Sequence, residues 1–138
     1  MNKIGQITFE WVEPRMFSSK NRGELEEEDT IGLMDVIEGQ VHGEDHFAWE
    51  VEVGNLTGMS PAARRVCAER LRKLPDRAIA VVNAKFAQRV LVKLILTAVA
   101  MLDGSQRNNK VAFFDDSEKA REWLRDYLRN QTSIKKSK

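Results

Sequence analysis

Apolar and polar residues alternate along several short stretches of the chain. In "QITFEWVEP", Ile7, Phe9 and Trp11 fall on one side and Thr8, Glu10 and Val12 on the other. A period of two predicts a strand, closed by Pro14. "RMFSSKNRG" alternates more weakly and predicts a second strand at a sheet edge, ended by Gly23 and close enough to the first to form a hairpin. "HFAWEVEVGNL" gives the clearest alternation, with Phe47, Trp49, Val51 and Val53 on one face and Ala48, Glu50 and Glu52 on the other. "RAIAVVNA" is almost continuously apolar, the pattern of a strand covered on both faces. "NKVAFFD" predicts one more strand.

Between these stretches the period changes to that of a helix. Ile31, Leu33, Met34, Ile37 and Val41 predict a helix from Glu26 to Val41, with acidic residues crowding its first turn, where the helix dipole favours them. Ala63, Val66, Cys67, Leu71 and Leu74 mark a second helix from Pro61 to Leu74, stopped by Pro75. A third runs from Lys85 to Asp103, ended near Gly104. The last, "DSEKAREWLRDYLRNQ", places Ala120, Trp123, Leu124, Tyr127 and Leu128 on one stripe. The order β-β-α-β-α-β-α-β-α predicts a single α/β domain over residues 1–130, with a mixed sheet that is parallel in its later part and about four helices. Residues 131–138 read as a flexible basic tail.

The third helix differs from the others. Val90, Leu91, Val92, Leu94, Ile95, Leu96, Ala98, Val99, Ala100, Met101 and Leu102 go almost all the way round it. One apolar face is enough to cover a sheet, so the rest must be buried elsewhere. Neighbouring helices, a second copy of the chain, or an apolar ligand would each do so. For a small chain, self-association as a dimer through residues 85–103 is the economical expectation.

Composition narrows the function classes. The chain has 138 residues, 42% hydrophobic and 31% charged, with a net charge of +1, so no global basic field points to nucleic acid. The one cysteine, Cys67, cannot form an internal disulfide, which fits a reducing cytoplasm. The longest apolar run, Val90 to Leu102, is interrupted by Lys93 and is shorter than the roughly 20 residues of a spanning helix. A cytoplasmic protein with no transmembrane segment is expected.

Candidate chemistry is sparse. His42 and His46 frame "HGEDH" with no third distant ligand, so they read as loop residues and no metal site is expected. Glu24 to Asp29 read as a solvated helix start. Cys67 lies on the apolar stripe of its helix, where free Cys is inert. No nucleophile–base pair, metal constellation or phosphate-cradling glycine loop is present, and no cofactor is expected. Ser60 is the exception. Ser before Pro is a strong helix N-cap, worth about 1 kcal/mol. A phosphate at the same place would meet free backbone N–H groups, with Arg64 and Arg65 one turn on.

Three stretches together resemble a known family: "EVEVGNLTGMSPAARRV", "RAIAVVNAKFAQRVLVKL" and "NKVAFFDDSEKAREWLRDYL". The chain resembles the STAS-like family of bacterial anti-sigma factor antagonists, in its SpoIIAA-like branch, also described as STAS/SEC14-like. The resemblance covers roughly Phe47 to Leu128, and the first forty residues match in element order only. It implies a STAS-like fold and a regulatory protein-interaction module without catalysis. It also implies a phosphorylatable Ser or Thr at the start of the helix after the third strand. By position that residue is Ser60, with Thr57 its near neighbour, although the Asp-Ser-Ser-Gly type of signature is replaced by Gly58-Met59-Ser60-Pro61-Ala62. The expected contact surface is the loop Gly54 to Ser60, including Asn55 and Met59, with Arg64 and Arg65 of the following helix. The SEC14-like description implies a second reading, a lipid or small apolar ligand against the helix 85–103, with Phe86, Arg89 and Lys93 at the mouth of its pocket.

Overall fold

The structure, a computed structural model, describes residues 2–102 and 109–136, with side chains described as far as Gln131. The expected helix end at Asp103–Gly104 and the last two residues of the basic tail lie outside the described residues.

Six strands form one sheet: β1 (Asn2–Ile4), β2 (Ile7–Glu13), β3 (Met16–Asn21), β5 (His46–Glu52), β7 (Asp76–Val82) and β8 (Asn109–Phe114). They stand in the order β1-β2-β3-β5-β7-β8. The first three are antiparallel neighbours, and β3, β5, β7 and β8 run parallel. Two further strands, β4 (Gly23–Leu25) and β6 (Leu56–Met59), pair in parallel as a separate two-stranded sheet. The helices are α1 (Glu27–Val41), α2 (Pro61–Leu71), α3 (Phe86–Leu102) and α4 (Ser117–Lys136). The α/β class, the mixed sheet and the four helices are as expected.

Three features differ from the reading of the sequence. β3 is interior rather than an edge, because β2 pairs with it on one side and β5 on the other. β1, β4 and β6 are additional short strands; each has three or four residues, too few to display a period. α4 continues to Lys136, so most of the segment read as a tail prolongs the last helix.

The two faces of the sheet are covered differently. Phe47, Trp49 and Val51 of β5, with Ile79 and Val81 of β7, face α1, α2 and α3, and Leu33, Met34, Ile37, Cys67 and Leu71 pack there. On the opposite face, Met16, Ala48, Ala78, Ala80 and Val82 meet Ala120, Leu124 and Tyr127 of α4. Strands β5 and β7 are buried along nearly their whole length, which explains the continuous apolar run of β7. Between β2 and β3 the chain turns through Pro14 and Arg15. Arg15 has φ of 69°, the conformation of the third residue of a type II turn, and Pro14 precedes it where the turn favours proline.

Candidate functional site

The stretch between β5 and α2 is a fixed segment rather than a free loop. β6 pairs with β4, and the Ser60 N–H donates to the Leu25 carbonyl at 3.0 Å. Ser60 is extended and caps α2: its hydroxyl oxygen accepts from the Ala63 N–H at 3.1 Å, and Pro61 follows at the first helical position. The cap expected from the sequence is therefore present. Its hydroxyl is half-buried, as are Met59 and Arg64, while Asn55, Thr57 and Arg65 are exposed. Thr57, Met59 and Arg64 line one shallow surface hollow together with Gln88 of α3. Gln88 ties the two elements, donating through its side-chain amide to the Leu56 carbonyl at 3.0 Å. The structure thus brings the start of α2 and the start of α3 to one place.

α3 has two apolar sides, as its sequence demands, and the described residues cover only one. Leu91, Val92, Ile95, Ala98 and Val99 pack toward the core. Phe86, Val90, Leu94, Met101 and Leu102 are exposed, Phe86 and Met101 to 83% each. Burial between neighbouring helices does not account for them. Beside this stripe a groove runs between α2 and α3, floored by Ala68, Leu94, Ala98 and Leu102 and rimmed by Arg64, Arg65 and Glu69. Arg89 stands over the Phe113 ring, 4.9 Å from its centroid, and Lys93 is exposed.

Beneath α3 lies an apolar cavity of about 80 Å³, bounded by the sheet, α1 and α2. Phe86, Arg89 and Lys93, expected at a pocket mouth, are not among its lining residues; Leu91, Val92, Ile95 and Leu96 close it instead. The three residues lie on the side of the helix turned away from the sheet or toward β8.

The groups set aside in the sequence occupy ordinary places, with one exception. Cys67 is buried, and burial pushes its thiol up to about 12, far from a thiolate nucleophile. His42 is exposed. Among the described residues, no group of three His, Cys, Asp or Glu side chains is placed to hold a metal ion. His46 is not a loop residue: it opens β5, is 2% exposed, and contacts Asp45 Oδ1 at 2.6 Å through Nδ1 and Arg15 at 3.3 Å through Nε2. Burial, with Arg15 nearby, holds its pKa below the ordinary value of 6.5.

The sequence reading also missed Glu50, which is 3% exposed on the α4 side of β5. Its carboxylate accepts from the Ser18 hydroxyl at 2.7 Å, from Arg121 Nε at 3.1 Å, and from the Ser117 hydroxyl. Three elements thus meet on one buried charge. The available signal was a carboxylate inside the clearest strand, opposite the apolar face.

No protein-family model matches the chain, and a search of the curated proteins finds no match. Solved structures do match. An uncharacterised protein of the DUF3478 family with a SpoIIAA-like fold, from Shewanella loihica PV-4, is 15% identical with a TM-score of 0.63, over 90% of this chain and 98% of that one. The anti-sigma factor antagonist SpoIIAA in its unphosphorylated form is 14% identical with a TM-score of 0.59, over 89% of this chain and 97% of that one. Covering about nine-tenths of this chain, both likenesses reach into the first forty residues as well as the later elements, and the chain therefore has a SpoIIAA-like, STAS-type fold.

Proposed function

We propose that this protein is a non-enzymatic regulatory module that works by binding another protein. Its contact surface is the segment Gly54 to Ser60 with the start of α2, comprising Asn55, Thr57, Met59, Ser60, Arg64 and Arg65. The observation that carries the reading is the convergence of a capping hydroxyl, two arginines and an apolar groove between α2 and α3 at one surface. The fold it shares with an anti-sigma factor antagonist supports the same class. Ser60 is the switch position and Thr57 the secondary one. A phosphate on Ser60 would displace the hydroxyl from its cap and place its charge over the free N–H groups of the first turn, within reach of Arg64.

The exposed stripe of α3 completes the module as a dimer interface. Charge along the helix favours a second copy in antiparallel orientation. Lys85, Arg89 and Lys93 lie before or within its first half, and residues 94–102 carry no charge. Antiparallel packing lays the cationic half of one helix on the neutral half of the other and puts Phe86 against Met101.

Both parts are open to test. Sedimentation velocity should give a dimer for the wild type and a monomer for Leu94→Glu; a wild-type monomer at every concentration removes the dimer. A photocrosslinker at Met59 should capture a protein partner. Ser60→Asp should then reduce capture at least tenfold while Ser60→Ala retains it. Equal capture by all three removes Ser60 as a switch.

A further inference from the structure

Among the described residues, one buried polar atom on a residue lining the cavity under α3 has no partner. Asn21, at the end of β3, lines the cavity and is 7% exposed, and its Oδ1 has no hydrogen-bond partner. A buried carbonyl-type oxygen left without a donor costs about 1–3 kcal/mol. Most of the remaining lining is aliphatic, with Trp49 at one wall. Thr30 also lines the cavity, but its hydroxyl is committed to the Glu26 carbonyl at 3.1 Å. A water molecule needs two to four polar partners to be held. Among the described residues the cavity offers it Asn21 and little else.

We propose that this cavity is a binding site for a small apolar molecule carrying one hydrogen-bond donor, and that Asn21 Oδ1 recognises the donor. The cavity's 80 Å³ excludes a long acyl chain and, with a slight give of α3, suits a single ring or a short branched chain. For scale, an engineered apolar cavity of about 150 Å³ in another protein stays dry and takes benzene. Outward movement of α3 is the entry route. The helix is fastened to β6 through Gln88 at its start, and Phe86, Val90, Leu94, Met101 and Leu102 on its outer side stay exposed. Filling the cavity would replace lost dispersion contacts for Leu91, Val92 and Ile95, and the donor would satisfy Asn21. The cavity shares Met59 with the protein-binding surface proposed above, but its recognition atom, Asn21 Oδ1, lies outside that surface.

Phenol and toluene are the probes, since they differ only in a hydroxyl for a methyl. Methyl NMR should show saturable shifts at Leu91, Ile95 and Ile79 with phenol. Asn21→Leu should raise the ratio of phenol Kd to toluene Kd about tenfold relative to wild type, the loss of one hydrogen bond to a buried acceptor. Val92→Phe should abolish both titrations by filling the space. Where Asn21→Leu does not fold, the wild type alone decides: the Asn21 side-chain amide signal should move with phenol and stay with toluene. No saturable methyl shift with either probe, an unchanged Kd ratio, or an Asn21 amide indifferent to phenol overturns the proposal.

Discussion

α3 and α4 cover opposite faces of the same sheet by opposite means. α4 sits on alanines, Ala48, Ala78 and Ala80, which let it approach closely, and a buried hydrogen-bonded carboxylate pins its first turns. α3 sits on large aliphatic side chains over a cavity, and its outer side exposes Phe86, Val90, Leu94, Met101 and Leu102 among Arg89, Lys93 and Thr97. The small-residue face fixes one geometry, because overpacking is penalised and the polar network is directional. The large-residue face is held by non-directional contacts that a small displacement changes little. The α4 face is therefore expected to be the rigid one and the α3 face the more compliant one.

The comparison predicts where substitutions hurt. The largest effect belongs to Arg121→Ala. It leaves Glu50 buried with two serine hydroxyls as its partners, and should cost about 3 kcal/mol in urea unfolding at an unchanged m-value. Ala80→Leu should follow at about 2 kcal/mol, since Ala80 is fully buried beneath α4 and a larger side chain there overpacks the face. A cost below ~0.5 kcal/mol for either would mean that the α4 face is as compliant as the α3 face.

Removing the α2 cap with Ser60→Ala should cost about 1 kcal/mol. That fixes the structural share of any phenotype at this position. pH should act through His46 on the α4 face. Its pKa is lower folded than unfolded, so the unfolded chain takes up a proton first as pH falls. His46's contribution is constant above about 6.5 and declines as pH drops below that value. Urea midpoints between pH 7.5 and pH 5 should fall in wild type and fall less in His46→Gln. The smallest stability effect belongs to Leu94→Glu, within ~0.5 kcal/mol at protein concentrations where the wild type is monomeric, because its side chain is half-exposed in the single chain. Its large effect is on self-association, and that separation of stability from assembly distinguishes the outer side of α3 from every site on α4.

The sequence by itself determined the elements whose period is long enough to see. The alternation of β5, the apolar run of β7, the four helices and the Ser60–Pro61 cap are local properties, fixed by side-chain periodicity and backbone preference. It also determined that α3 carries more apolar surface than one sheet face can cover. Only the tertiary structure decided the rest. β4 and β6 are too short to have a period and exist because distant segments pair. β3 became interior by receiving β5, which no local pattern in "RMFSSKNRG" encodes. Glu50 became a buried anchor because Ser18, Ser117 and Arg121 arrive from two other elements. Asn21 Oδ1 became an unsatisfied polar atom beside a cavity walled by three helices and the sheet. Burial and hydrogen-bond satisfaction are sums over neighbours remote in the chain, so they are settled only when the chain has folded.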